Sequence, residues 1–467
     1  MARMTVHPTR EIIEDFAAEI QRRQLHTPKP KMAVINFRTD IKGGVERKVV
    51  EVPIVLLRYR KDNGRITSDV MDHERNVGPL DERDDQAQAK IRHFLEIKDP
   101  EKTATLRKTI FHDGQRDPAI VTCDGFIING NRRKMVMEKL HSEFPENPSF
   151  GYMKVVILPG RDGEGGAPTL LEIEQIENRY QLQSDGRSEY YGFDRALSIE
   201  RKIELGLTLE EQLRDDPRYA GMSVIELGKV VQKYESKYLR PLMCVKRYLR
   251  QFHREGLYRT VSTGVSDPEG RWQAFVDYSE TYDRYLANDK RRIESGIEED
   301  EIGTIEEAAF DIIRLRVVPD MPKVHTIMRD LPKYCRTKEG KKEIAKITEE
   351  VEPVLASKEC FDQKDNPLTA DEIDAKWAGK NRQFIIHHLK NASRSHEIRK
   401  EKETPLELLE AAYKKLTHED MDLQSISQAD YKRARDWVVQ IKSRAEEIES
   451  EIYHMQKEFK KLGRDEQ

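Results

Sequence analysis

The stretch DPAIVTCDGFIINGNRRKMVMEKL, residues 117–140, changes its hydrophobic period along its length and constrains the fold more than any other segment of the chain. Ala119 to Cys123 and Phe126 to Asn129 read as short strands. They flank Asp124-Gly125, a pair suited to a two-residue hairpin turn because both residues tolerate positive φ. Gly130 breaks the second strand, and Met135, Val136, Met137 and Leu140 then recur among charged residues at helical spacing. The segment predicts a hairpin feeding directly into a helix, with glycine at the junction and Arg132 and Arg133 in the first turn. Such a junction binds anions: the helix start carries positive dipole charge, glycine admits close approach, and each guanidinium can grip phosphate with two hydrogen bonds. Basic residues in a first turn oppose the dipole, so they call for a reason. Either Arg132 and Arg133 hold a ligand, or they are solvated side chains on an exposed helix start.

At 467 residues the chain exceeds what one core holds, and three or four units are expected. Charged residues make up 36%, interleaved with apolar ones in periodic fashion, which predicts charged helices rather than disorder. A helix is expected over 10–24 and a β-branched strand over 49–58 (VVEVPIVLLR). A helical insertion follows over about 73–103, then a short helix over 106–112. Lys154 to Leu158 reads as a strand, and helices over 170–183 and 190–205 begin a helical pattern that runs to the end. The fold class is therefore an α+β N-terminal domain followed by all-α domains and a C-terminal coiled-coil helix. The expected division is a helical segment at 1–44, an α+β domain at 45–205, a basic helical domain at 206–260, a helical domain at 271–400 and a hairpin or coiled coil at 404–463. TVSTGVSDPEG at 260–270 is the expected linker. No stretch approaches the ~20 apolar residues of a membrane span. The start has no apolar leader, and the four cysteines lie far apart without metal-ligand spacing. A cytoplasmic protein without membrane contact is expected.

The net charge of −4 gives no global attraction to nucleic acid, so DNA binding would need a local patch. One exists: Ser223 to Arg259 carries nine Lys/Arg against three acids. Its apolar spacing fits two short helices, with 207–213 supplying a third. A helix-turn-helix reader and an ordinary basic surface both remain open. On the first, Lys246, Arg247 and Arg250 would contact phosphates. Farther on, Tyr431, Ala434, Val438, Ile441, Ala445, Ile448, Ile452, Met455, Phe459 and Leu462 alternate in steps of three and four, the seam of a coiled coil. That seam could pair with a second copy or fold back on Leu409, Ala412 and Leu416.

Several of these pieces fall in one family's order. VPIVLLR at 52–58, LRKTIFHDGQRDPAIV at 106–121, DGFIINGNRR at 124–133 and IEQIENRYQ at 173–181 resemble the N-terminal domain of the ParB family, a fold shared with sulfiredoxin. The resemblance spans roughly 50–205. It implies a domain that binds a nucleoside triphosphate, commonly CTP with Mg2+, and a dimer that closes on DNA when the nucleotide binds. It assigns Gly130, Asn131, Arg132 and Arg133 to the phosphates, Asn178 and Arg179 to the nucleotide, and Glu177 to the metal and to possible slow hydrolysis. Two positions depart from the family pattern. Asn131 stands where glutamate is usual, and Arg179, Tyr180, Gln181 replace the usual order in the second motif. The sulfiredoxin reaction needs a cysteine at position 131, and the nearest, Cys123, lies in the preceding strand. An enzyme on the same fold, either a nuclease or a small-molecule kinase, and a structural interaction protein with a vestigial site are the competing expectations. Fold resemblance does not choose among them.

Overall fold

A computed structural model describes residues 8–25, 31–35, 37–38, 45–98, 100–163, 165–182, 192–216, 218–258, 261, 271–352, 354–355, 357–361, 367–418 and 421–465. The chain divides into two units, residues 1–396 and 397–467. It is mostly helical with a small sheet region near the start. No helix among the described residues is long and apolar enough to cross a membrane.

The first unit opens with α1 (Glu14–Arg23) and a two-stranded ribbon of β1 (Met32–Ile35) and β2 (Val45–Lys48). The stretch expected to be helical up to residue 44 therefore includes a strand. Next come β3 (Val50–Pro53), α2 (Thr67–Asn76), α3 (Asp85–Ile97), α4 (Pro100–Asp113), β4 (Ala119–Val121), β5 (Ile127–Asn129), α5 (Asn131–Glu143), β6 (Tyr152–Ile157) and α6 (Leu170–Leu182). The sheet order is β3-β6-β4-β5, with β6 antiparallel to β3 and parallel to β4, and β4 antiparallel to β5. One face packs Val52, Ala119, Val121, Ile127 and Val155 against Val136, Met137 and Leu140 of α5. The other packs Ile120, Ile128 and Val156 against Ile173 and Ile176 of α6. The alternation of inward residues along each strand assigns them to the two faces. The expected helical insertion is α3, whose Ala87, Ile91, Phe94 and Leu95 form a satellite core with Tyr59, Val70 and Met135. The 49–58 segment is strand only to Pro53, after which a 3-10 turn over Ile54–Leu56 bends it.

All later elements of this unit are helical: α7 (Gly192–Glu204), α8 (Leu209–Arg214), α9 (Val224–Tyr234), α10 (Arg240–Gln251), α11 (Arg271–Thr281), α12 (Asp289–Glu294), α13 (Glu301–Arg314), α14 (Val324–Tyr334), α15 (Lys338–Glu350) and α16 (Ala370–Leu416). Capping boxes fix two starts. Thr208 and Ser223 accept the amides of Glu211 and Glu226, whose carboxylates accept the cap amides in return. No turn separates α9 from α10, because a π-helical stretch over Glu235–Leu239 carries one into the other. The short turn of a helix-turn-helix is thus missing between them. One hydrophobic core runs from Phe193 of α7 to Ala392 of α16 and includes Val261. The 260–270 linker, which apart from Val261 lies outside the described residues, therefore does not divide the helices into separate cores. At the centre of this core the Asp374 carboxylate accepts from Arg254 at 2.6 Å, Arg314 at 2.8 Å and Arg271 at 3.0 Å. Arg314 is also sandwiched 4.3 Å from the rings of Phe252 and Trp377.

In the second unit, α16 ends and α17 (Tyr431–Asp465) follows. Val438, Ile441, Ile452 and Met455 of the α17 seam are exposed, as are Leu409 and Leu416 within the same unit. Among the described residues, the seam is not covered by Leu409, Ala412 or Leu416. The side chains of Phe459 and Leu462 lie outside the described residues.

Asp311 on α13 is buried, and its Oδ1 has no hydrogen-bond partner among the described residues. Burial pushes its carboxyl up to about 8, with Glu307 adding to the shift and Arg314 opposing it. The folded chain therefore keeps a proton that the unfolded chain loses near pH 4. Stability contributed by that proton falls as pH rises from about 4 to 8, by roughly 1.4 kcal/mol per pH unit at most. Asp311→Asn should match the wild type below pH 4 and exceed it in melting temperature by a margin that grows up to pH 8. Melting curves across this range check the sign.

Candidate functional site

The hairpin and helix expected around residue 130 are present. Gly125 occupies the turn at φ 85°, and Gly130 caps α5 at φ 119°. Gly130 has a second reason to be glycine: a Cβ there would lie 2.7 Å from the Cβ of Ala119 on β4 and 3.3 Å from Met153 Cε on β6. The backbone thus enters the helix pressed against the sheet, which puts the first turn of α5 at the sheet edge. Arg133 reinforces this placement by donating to the carbonyls of Asp117 and Pro118 and, at 2.6 Å, to Asn129 Oδ1.

In front of this turn lies a cleft of about 480 Å³, inside the roughly 300–1,000 Å³ range of small-molecule sites. Gly130, Asn131, Arg132, Arg133 and Glu177 all line it, so residues far apart in sequence meet there. Sequence reasoning missed the opposite wall. Lys102, Thr105, Leu106 and Thr109 form one face of α4, and Asn63, Arg65, Lys98, Asp117 and Tyr180 are among the other lining residues. Positions 102, 105, 106 and 109 have the spacing of a single helix face, a signal available in the sequence. Lining cations outnumber the lining carboxylates of Asp117 and Glu177, and α5 points its positive dipole end the same way.

Lys98 is held in place from behind. Its Nζ lies 2.9 Å from Asp194 Oδ2 and 3.0 Å from Asp69 Oδ2, and Ser68 donates to Asp194 at 2.7 Å. Burial works to lower the Lys98 ammonium, but the carboxylates of Asp194 and Asp69 hold it above its ordinary value. Glu177 is equally constrained. Its Oε2 accepts from Arg60 at 3.2 Å and its Oε1 from the Gly64 amide at 3.1 Å, while Arg60 also donates to Glu174 at 3.0 Å. Burial, and then the charge of Glu177, raise Glu174, with Arg60 and Arg201 opposing. Burial also holds the neighbouring Lys202 ammonium below its ordinary range, against Glu174 and Glu177.

Asn178 and Arg179 face away from the cleft. Asn178 donates to Gln212 O at 3.0 Å and to Asp215 Oδ2 at 3.2 Å and accepts from Lys202, and Arg179 pairs with Asp215 at 3.0 Å. The reason is helical geometry: adjacent residues on α6 are about 100° apart, so Glu177 shares its face with Glu174 and Tyr180 instead. The basic segment is also partly engaged. Lys246 pairs with Glu200 at 2.6 Å, and Arg247 grips Glu306 with two bonds of 2.8 Å, while both side chains stay about a third exposed. Arg250 remains exposed, as do Lys229, Lys233 and Lys237 at four-residue steps along α9 and its π-helical extension.

The fit to Mg2+ rests on the available oxygens. Both Glu177 oxygens already accept hydrogen bonds, one of them from a guanidinium, and Asp69 and Asp194 are capped by Lys98. Asn131 Oδ1, a neutral oxygen, is buried without a hydrogen-bond partner among the described residues. Among the described residues no three His, Cys, Asp or Glu side chains group closely enough to hold a metal. Asp117, exposed on the same cleft, is the second lining carboxylate beside Glu177, and no step is assigned to a metal. An anion fits the donor set. Cys123 is not among the residues lining this cleft, and burial, with Asp124 beside it, pushes its thiol up to about 11.

Gly130→Ala should cost roughly 2–3 kcal/mol, since it combines a left-handed backbone with a clash against Ala119. Urea unfolding measures this, and an unchanged midpoint would mean that α5 does not start where described. In comparisons with family models, curated proteins and solved structures, nothing matches this chain.

Proposed function

We propose that the cleft binds a nucleoside triphosphate, CTP first among the candidates, and that the bound nucleotide governs how the protein engages DNA. The observation that carries this reading is the convergence of Gly130, Arg132 and Arg133 at a helix start with Arg65, Lys98 and Lys102 from other elements. A surface helix start with solvated arginines would not recruit cations from two further segments. Each guanidinium is a two-donor fork suited to phosphate oxygens, and Tyr180 offers a ring at the rim. The resemblance to the ParB domain, on GNRR and IENRYQ, adds the nucleotide class.

On this reading Glu177 is a positioning residue. It holds Arg60 and the Gly64 backbone, the latter between the lining residues Asn63 and Arg65, and the site is first a binding site, with slow hydrolysis as a secondary activity. DNA phosphates are assigned to the exposed Lys229, Lys233, Lys237 and Arg250, together with the part-exposed Lys246 and Arg247. Self-association is assigned to the exposed α17 seam, which as a single helix leaves an apolar stripe in water.

Calorimetry against CTP, ATP, GTP and UTP, with and without duplex DNA, tests the proposal. One triphosphate should bind, its affinity should change in the presence of DNA, and Arg132→Gln should weaken it by at least about tenfold, as expected for loss of a charged hydrogen bond. No binding of any triphosphate would end the reading. Light scattering tests the seam: the full chain should be a dimer and a chain ending at residue 396 a monomer, and a dimeric shortened chain would place the contact elsewhere.

A further inference from the structure

We propose that α17 pairs with α17 of a second copy in the antiparallel sense, so that the start of each helix lies beside the end of the other. The proposal rests on the reading that self-association runs through the exposed seam, and it adds the geometry of that contact. Val438, Ile441, Ile452 and Met455 leave an apolar stripe in water along this 35-residue helix. The charges flanking the stripe are divided by sign. Arg435, Lys442 and Arg444 border its first half, and Glu449, Glu451 and Glu458 its second, all of them exposed. Flanking residues set the orientation of a coiled coil. In a parallel pair each flank meets the opposite flank of the second copy. Arg444 then faces Glu449, but Lys442 faces Trp437 and Glu451 faces Gln456, with no opposite charge. In an antiparallel pair like flanks meet, so Lys442 faces Glu449 and Arg444 faces Glu451, each contact made twice by symmetry. Antiparallel pairing thus joins twice as many opposite charges. The seam agrees with it, because the same register sets Val438 against Met455, Ile441 against Ile452 and Ala445 against Ile448. A parallel pair would stack Ala445 on its own copy and leave a gap at mid-helix. The present partners do not prevent the exchange. Arg444 bonds Glu447 at 2.8 Å and approaches Glu451 of its own helix at 3.8 Å, and Lys442 lies 3.7 Å from Glu446. Exposed pairs of this kind are weak and change partners at little cost.

The test uses the full chain carrying Ile441→Cys and Ile452→Cys together, oxidised and mapped by peptide mass spectrometry. An antiparallel pair yields a disulfide between position 441 of one chain and position 452 of the other. Within one helix these positions are about 16 Å apart, too far for a bridge. Links of 441 to 441 and of 452 to 452 would overturn the antiparallel geometry and leave the seam contact standing. A monomer in light scattering, with no link at either position, overturns the self-association reading and the inference with it. Charge variants at exposed positions supply a second arm. Lys442→Glu and Glu449→Lys should each weaken self-association about tenfold, and mixing the two should restore it, because every 442–449 contact in the mixed pair is again opposite in sign. A mixture as weak as either variant alone would contradict the antiparallel register.

Discussion

The close approach of Gly130 to Ala119 is the constraint on which the rest of the first unit depends. With only a hydrogen at the Gly130 Cα, the chain leaves β5 and enters α5 while touching β4, in a left-handed backbone conformation that other residues resist. The axis of α5 follows from that contact, and so does the burial of Val136, Met137 and Leu140 against the sheet. It also sets the direction of the helix start, and hence which groups can gather in front of it. A helix displaced by one side-chain radius would leave Arg133 unable to reach the carbonyls of Asp117 and Pro118.

Around this start the protein separates charge carefully. Two ion-pair clusters flank the cleft, Arg60 with Glu174 and Glu177, and Lys98 with Asp69 and Asp194, each setting one cation between two buried carboxylates. Breaking one such pair would leave an uncompensated charge in low dielectric, a loss of about 3–5 kcal/mol where no second partner remains. Stability and binding therefore share residues. The same logic operates in the helical core, where Asp374 is surrounded by three guanidiniums and held below its ordinary value by Arg271, Arg254 and Arg314 against its burial.

Local chemistry made much of the site legible in sequence. Asp124-Gly125 and Gly130 punctuate the strands, and the apolar spacing after Gly130 changes from two to helical, so the hairpin, α5 and the arginines were readable together. Glu177 was readable too, through IEQIENRYQ. Other features depend on contacts between distant segments. Lys98 and Lys102 reach the cleft only because α3 and α4 pack back over α5, and Arg65 only because the loop before α2 returns there. Asn178 and Arg179 were assigned by motif order, but the turn of α6 sends them toward Asp215. A count of basic residues over 223–259 likewise says nothing of Glu200 and Glu306, which neutralise Lys246 and Arg247.

The central claim is that a nucleotide binds at the start of α5. Hydrogen exchange by mass spectrometry, with and without saturating CTP, addresses the location directly. Protection is expected over 63–66, 128–135 and 174–180 and within 95–117, the segments that line the cleft. CTP binding accompanied by protection elsewhere, with these four segments unchanged, would contradict it.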